Sequence, residues 1–253
     1  MTGTINLAAD LGEGFGSYRM ADDDAMLDLV SSANIACGFH AGDPRVMDEM
    51  VASCVERGVA IGAHPGFPDM VGFGRRTLDC SPREVYTDVL YQLGALAAFA
   101  QARGARIHHL TPHGRLGSLS RQRSDYAQAI VDAVENFDAT IRIVSREGLL
   151  VQTALDRGLR IGYSGFADRA YGDDGELVPR SQPGSVITDH EEVLDRVIQI
   201  ATQKKVRSVS GKDLSIRCDT IMVHGDSPGA VKIARAVLEG LGRSGITVAP
   251  LSD

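Results

Sequence analysis

The stretch NIACGFHAGDPRVMDEMVASCVERGVAIGAHPG, residues 34–66, holds a strand, a helix and a second strand in that order. Asp43 and Pro44 are predicted to start the helix, because an Asp side chain accepts the free N–H groups there and proline suits the first turn. Apolar side chains then recur at helical spacing until a glycine ends the pattern. We predict the flanking strands at residues 34–36 and 59–62. A helix that joins two strands in this way indicates a parallel sheet.

The same alternation of short strands and helices extends over the rest of the chain. Ser81 and Glu84 form a predicted capping box for a long helix, and Ser227 with Pro228 is predicted to cap the last one. Further strands are predicted at residues 4–9, 106–110, 140–144, 160–163 and 220–223. About seven or eight such units without a linker predict a single α/β domain over residues 1–253, with a (β/α) barrel favoured over an open sheet.

Composition argues against several classes of protein. The 253 residues include 26 Lys and Arg and 33 Asp and Glu, which gives a formal net charge of −7. An acidic chain without a basic, aromatic-rich run is not expected to bind nucleic acid. The four cysteines are widely spaced, which argues against a disulfide framework and a zinc knuckle. Since the N-terminal residues lack signal-peptide character and no apolar run could span a bilayer, we expect a cytoplasmic protein that binds no membrane. Whether the chain forms a homo-oligomer is left open by its sequence.

Histidines and carboxylates follow the predicted strands at turns that contain glycine or proline. In a parallel barrel the strand ends lie on one face, where barrel enzymes carry their chemistry. Imidazole exchanges protons near neutral pH, and glycine turns bring N–H groups close to a bound anion. A single His-Gly turn is most often only a loop, but its recurrence after several strands predicts a catalytic face. The predicted catalytic residues are Asp10, Glu13, His40, His64 and His113.

A divalent metal site is a second interpretation of the same loops. The sequence contains no HExxH motif, so the ligands would have to converge from separate loops. His40, His64 and Asp10 are the candidate ligands, because imidazole and carboxylate groups suit divalent cations. The adjacent His108 and His109 fall on opposite faces of one predicted strand, and we expect one of the two rings to point into the core.

The loops at the strand ends together resemble those of a known family. The motifs begin with DLGE at residues 10–13 and continue in order over nearly the whole chain. They are SANIACGFHAGDP (32–44), IGAHPGFPD (61–69), VGFGRR (71–76), FADRAY (166–171), LVPRSQPGSVI (177–187) and VHGDSPGAV (223–231). On these motifs the sequence is identified as a member of the LamB/YcsF family, and the long second motif is highly specific.

The resemblance implies a distorted seven-stranded β/α barrel of the glycoside hydrolase/deacetylase type. It also implies hydrolysis of a small-molecule lactam, in which 5-oxo-L-proline opens to L-glutamate as ATP is hydrolysed. ATP would be bound with or by two partner chains, the 5-oxoprolinase subunits B and C. Arg169 and Arg180 are expected to anchor the substrate carboxylate or a phosphate, because guanidinium binds both bidentately. His224 and Asp226 are expected to bind substrate as well.

Several polar positions depart from the family pattern, whereas the scaffold glycines are kept. The pattern's Asn, Lys, Tyr and Glu are replaced, in that order, by Ala8, Thr111, Gly117 and Ser164. Three alternatives to the implied activity therefore stay open. The chain could be a paralogue acting on a different lactam or cyclic amide, a metal-dependent amidohydrolase or deacetylase, or a non-catalytic subunit whose site has decayed.

Overall fold

Parallel strands close into a barrel at the centre of the computed structural model, which describes residues 3–226 and 229–252. The strands are β1 (Thr4–Leu11), β2 (Ser32–Ala36), β3 (Ala60–His64), β4 (His109–Leu110), β5 (Arg142–Ser145), β6 (Ile161–Phe166), β7 (Lys205–Arg207), β8 (Asp213–Ser215), β9 (Thr220–His224) and β10 (Thr247–Val248). Strands β1 to β6 and β9 form the barrel, and β9 closes it by pairing with both β6 and β1. The predicted seven-stranded β/α barrel is thus confirmed. Strand β10 pairs with the start of β1, and β7 and β8 form an antiparallel hairpin.

Helices connect the barrel strands and pack around the outside. They are α1 (Asp23–Leu27), α2 (Pro44–Arg57), α3 (Pro82–Ala102), α4 (Gly114–Ser120), α5 (Ser124–Asp138), α6 (Leu149–Asp156), α7 (His190–Gln203) and α8 (Ala230–Arg243). The predicted starts at Asp43 and Ser81 are confirmed, since each side chain accepts N–H groups of its helix and Glu84 completes the capping box. The predicted cap of the last helix, Ser227 and Pro228, lies outside the described residues. None of the described helices combines the length and apolar character that a membrane span requires.

Strand bounds differ from the predicted ones mainly at the carboxyl ends. Strands β1, β3 and β9 continue to Leu11, His64 and His224, beyond the apolar runs that predicted them. A polar side chain does not end a strand when neighbouring strands still satisfy its backbone N–H and C=O groups. Strand β4 is shorter than predicted and contains only His109–Leu110. The barrel therefore carries its polar residues within the strand ends themselves.

The two faces of the barrel strands bury different kinds of side chain. On β1, Leu7, Ala9 and Leu11 belong to the apolar core shared with the surrounding helices. The alternate residues Asn6 and Asp10 are also buried, but they face polar partners on neighbouring barrel strands. Side chains alternate between the faces of a strand, so the second set lines the barrel interior. The interior is consequently a polar layer enclosed by an apolar one.

Hydrogen bonds run through the barrel interior toward the carboxyl ends of the strands. His109 Nε2 lies 2.8 Å from Asn34 Oδ1, and Asn34 Nδ2 donates to Asp10 Oδ1 at 2.8 Å. His109 is buried in the interior, whereas His108 Nε2 lies 2.9 Å from the Leu251 carbonyl oxygen. The expectation that one of the two rings points inward therefore holds. The chain from His109 to Asp10 fixes the orientation of the Asp10 carboxylate.

Candidate active site

The carboxyl ends of the barrel strands surround a cavity of ≈ 640 Å³. Its walls include most of the residues predicted as catalytic or substrate-binding: Asp10, Glu13, His64, His113, Arg169, Arg180 and His224. His40 is fully buried and contacts Glu13 and His113. Asp226 bonds to Arg180 of the cavity wall. Loops that are far apart in sequence are brought together because parallel strands share one carboxyl edge.

Backbone carbonyl groups fix the orientation of two histidines at the base of the cavity. His64 Nδ1 lies 2.6 Å from the Thr111 carbonyl oxygen, and His113 Nε2 lies 2.9 Å from the Phe73 carbonyl oxygen. A carbonyl accepts only, so each of these ring nitrogens carries the proton. The other nitrogens, His64 Nε2 and His113 Nδ1, face each other at 2.9 Å.

Glu13 and His40 complete this cluster. His40 Nε2 lies 3.3 Å from Glu13 Oε1, and the His40 and His113 rings are stacked with centroids 3.7 Å apart. The backbone of Gly74, at φ 62°, passes close to both rings, and a Cβ there would lie 2.8 Å from His113 Cδ2 and 2.8 Å from His40 Cβ. Only glycine fits this position, because it combines a left-handed backbone with close ring contact.

The two carboxyl groups of the first loop have pKa values shifted in opposite directions. Burial and, to a smaller extent, the neighbouring charge of Asp10 raise the pKa of Glu13 to about 8. Burial also acts to raise the pKa of Asp10, but the charge and hydrogen bond of His64 outweigh it and hold that pKa below its ordinary value. Asp10 is therefore the ionised partner of His64, whose Nε2 lies 3.5 Å from Asp10 Oδ1. Such divergent environments are typical of catalytic carboxyl pairs.

An aspartate that sequence reasoning missed holds His224. Asp168 Oδ1 lies 2.8 Å from His224 Nδ1, and Asp168 Oδ2 accepts the backbone N–H of His224 at 3.3 Å. Asp168 is 1% exposed, and the Phe166 ring stacks on His224. The pairing fixes the Nδ1–H tautomer, so Nε2 carries a lone pair on a ring that lines the cavity. The available signal was the FADRAY motif, in which Asp168 directly precedes the predicted Arg169.

Arginines supply most of the positive charge around the cavity. Those in its wall are Arg75, Arg115, Arg121, Arg146, Arg169 and Arg180. Sequence reasoning identified only Arg169 and Arg180. Arg169 donates to the carbonyl groups of Ser185 and Val178, and burial lowers its pKa to about 10 with help from nearby Arg180.

Carboxylates hold several of these arginines in place. Arg121 donates to both oxygens of Glu176 at 2.8 and 2.7 Å, and Arg146 adds a bond of 2.7 Å. Asp226 Oδ2 accepts from Arg75 at 2.8 Å and lies 3.4 Å from Arg180 Nη1. Asp226 thus orients two arginines, which could bind a carboxylate or phosphate in the cavity.

The departures from the family pattern are located around this cavity. Thr111, Gly117 and Ser164 line it, and Ala8 lies buried on the neighbouring part of β1. The Thr111 hydroxyl is buried and has no hydrogen-bond partner within the described part of the chain. The sequence differences are therefore concentrated where a ligand would bind.

Comparisons with known proteins, by family model, by sequence and by structure, agree with one another. The family model described as the LamB/YcsF family matches residues 5–253. The A subunit of 5-oxoprolinase from Syntrophobacter fumaroxidans is 44% identical over 244 residues, which is 96% of each chain. The crystal structure of the lactam utilization protein from Thermus thermophilus is 44% identical, with a TM-score of 0.93 over 98% of this chain and 100% of that one.

A more distant structure shares the fold alone. The family 4 carbohydrate esterase from Streptomyces lividans superposes with a TM-score of 0.53 at 9% identity, over 99% of this chain and 93% of that one. The two proteins therefore share a barrel fold. Because the family model matches residues 5–253 and the similar relatives are of equal extent, the chain belongs to the LamB/YcsF family.

Proposed function

We propose that this chain is the A component of an ATP-dependent 5-oxoprolinase, which hydrolyses the lactam of 5-oxo-L-proline to L-glutamate. One observation carries the proposal: His224, which is held by Asp168, lines one cavity together with six arginines and Asp10. A substrate that bears a carboxylate and becomes phosphorylated needs both a proton acceptor and anion-binding groups. The names of the two full-length relatives, one a 5-oxoprolinase component and the other a lactam utilization protein, support the same reaction.

The chemistry explains why ring opening would be coupled to ATP. A lactam carbonyl carbon is a weak electrophile. Transfer of a phosphoryl group from ATP to the amide oxygen makes that carbon more susceptible to attack by water. Water then adds to that carbon while His224 Nε2 takes the water's proton. The same imidazolium returns the proton to the ring nitrogen as the C–N bond breaks, which leaves an acyl phosphate. A second water converts the acyl phosphate to the glutamate carboxylate and inorganic phosphate.

We place ATP with two partner chains, subunits B and C, and the assembly in the cytoplasm. The relatives are named as one lettered component of 5-oxoprolinase, which supports an assembly of several chains. The arginine-lined cavity would then receive the phosphorylated lactam, because its guanidinium groups match both the substrate carboxylate and the phosphoryl oxygens.

Reconstitution tests the proposed function directly. The chain mixed with subunits B and C from the same organism is expected to release glutamate and phosphate in equal amounts from 5-oxoproline and ATP. The matched controls omit ATP or replace this chain by buffer. Phosphate release without glutamate, or no turnover at all in the complete mixture, would contradict the proposal.

Arg180→Gln is expected to raise the KM for 5-oxoproline by about 10- to 100-fold with a smaller effect on kcat. The charge-assisted hydrogen bonds of a guanidinium contribute about 1.5–3 kcal/mol each, and Gln keeps the polarity without the charge. Steady-state kinetics of the reconstituted assembly measure the effect. Arg243→Gln, at an exposed position at the end of α8, is the control and should leave KM unchanged. An unchanged KM in the Arg180 variant would remove Arg180 from substrate binding.

A second candidate function is hydrolysis of a different, larger cyclic amide. It is favoured by the cavity of ≈ 640 Å³, which exceeds what a small five-membered ring acid fills. The small residues Thr111, Gly117 and Ser164 line the same cavity. A panel of lactams that bear added substituents decides between the two candidates, because a higher kcat/KM for a larger ring or side chain would identify the second one.

A further inference from the structure

We propose that Glu13, His64 and His113 form a binding site for one divalent transition-metal ion of the zinc class at the base of the cavity. Ligand atoms of these residues and of His40 all lie within 4.8 Å of one another, and all four side chains are buried. The inference rests on these contacts and not on the proposed lactam reaction, so either one can fail alone.

The hydrogen bonds of the two histidines leave the right nitrogens for a cation. His64 donates Nδ1–H to the Thr111 carbonyl group, and His113 donates Nε2–H to the Phe73 carbonyl group. Metal-binding histidines characteristically donate their other N–H to a carbonyl or carboxylate in this way. His64 Nε2 and His113 Nδ1 then carry lone pairs, and they face each other at 2.9 Å. Two lone pairs repel at that distance unless a positive charge, a proton or a metal ion, lies between them.

The distances among the ligand atoms suit a metal ion. Glu13 Oε1 lies 3.4 Å from His113 Nδ1, and the two histidine nitrogens are 2.9 Å apart. Tetrahedral bonds of about 2.0–2.1 Å place ligand atoms roughly 3.3 Å from one another. Two imidazoles and one carboxylate are also a ligand set that zinc enzymes use, with the fourth position left to water or substrate. Since Glu13, His64 and His113 line the cavity, that fourth position would open into it.

His40 is assigned a positioning role in place of a ligand role. Its ring is parallel to that of His113, with an interplanar angle of 5° and centroids 3.7 Å apart. Ring nitrogens bind metals in the ring plane, so two stacked rings cannot direct their lone pairs to one point. His40 Nε2 lies 3.3 Å from Glu13 Oε1 and would instead donate to that carboxylate and hold it toward the ion.

Charge balance gives a further reason for a cation. Glu13 is 8% exposed, and its close polar contacts are the imidazoles of His40 and His113. If Glu13 were ionised among these rings, its carboxylate would need a counter-charge, which a bound divalent ion supplies. Asp10 is not assigned as a ligand, because it lies outside the group of mutually close ligand atoms and its Oδ1 already accepts Asn34 Nδ2–H.

Metal titration of the chelator-treated chain tests the site without substrate or partner chains. We expect one equivalent of Zn²⁺ to bind by calorimetry, and Co²⁺ to give the intense visible absorption of a four-coordinate site. Glu13→Gln and His64→Gln should each weaken Zn²⁺ binding by about 100-fold or more, while His40→Gln should weaken it by about 10-fold. Glu13→Gln keeps the shape of the side chain, so it remains informative where a histidine variant folds poorly.

His224→Gln is the matched control, because His224 lines the same cavity but lies outside the ligand group. It should bind Zn²⁺ with unchanged affinity, and circular dichroism checks that every variant is folded. Absence of stoichiometric binding by the unmodified chain would overturn the proposal and assign a proton to the position between His64 and His113. Full-affinity binding by both Glu13→Gln and His64→Gln would overturn it as well.

Discussion

Asp168→Asn is expected to lower the kcat of ring opening by about 10³- to 10⁴-fold while KM changes little. The Asp168 carboxylate accepts Nδ1–H of His224 and thereby leaves Nε2 as the proton acceptor. An asparagine can present its NH₂ group to Nδ1, which favours the opposite tautomer and removes the base. In serine proteases, an Asp-to-Asn change at an Asp–His pair of this kind costs about 10⁴-fold in kcat. The measurement is steady-state kinetics of the assembly with subunits B and C.

Asp174→Asn provides the matched control for this variant. Asp174 is an exposed residue of the same connection, and its side chain accepts the backbone N–H of Glu176, which Asn can also accept. It should retain full kcat. A kcat for Asp168→Asn within about 10-fold of the unmodified chain would mean that His224 is not the general base.

Gly62→Ala is expected to destabilise the protein by about 3 kcal/mol or more, at the upper end of overpacking effects. Gly62 lies on β3 beside His109, and an added Cβ would overlap the His109 imidazole ring. That ring is fully enclosed in the barrel and is hydrogen-bonded to Asn34, so it has no free direction in which to move. At about 2–4 °C per kcal/mol for a chain of this size, the melting temperature should fall by roughly 6–12 °C.

Gly94→Ala is the control for the effect of the methyl group itself. Gly94 lies within α3, and a Cβ there would have no neighbour within 4 Å. Replacing glycine by alanine inside a helix stabilises it by about 0.5–1 kcal/mol, so this variant should melt slightly higher. Equal melting temperatures for the two variants would show that the barrel interior can accommodate the His109 ring in another position.

Local chemistry explains which parts of the fold could be predicted from the sequence. Asp43 and Ser81 start helices through contacts within a few residues, so the sequence contains the whole interaction. Strands β7, β8 and β10 were not predicted, because they have only two or three residues each and little apolar alternation. Strand β10 pairs with β1, which is distant along the chain, and β7 pairs with β8 across a polar turn.

The candidate site was predictable to the extent that it follows buried strands. His64 and His224 follow apolar runs at glycine or proline turns, so the position of each on the barrel face could be expected. The partner of His224 could not, because Asp168 comes from a loop 56 residues away and no spacing rule connects the two. Arg121 and Arg146 were also missed, since each lies in an ordinary polar context and reaches the cavity only in the folded barrel.

The polar layer inside the barrel has a consequence for how the strands find their register. If β2 slipped by one residue against β1, Ser32 and Asn34 would turn toward the helices and Ile35 would enter the interior. Asn6 and Asp10 would then lose their hydrogen-bond partners on β2, and each such loss in a buried position costs about 1–3 kcal/mol, or more for a charge. Misaligned barrels are thus penalised by the same hydrogen bonds that orient the Asp10 carboxylate. Accurate strand pairing and a correctly oriented carboxylate are in this way a single outcome of folding.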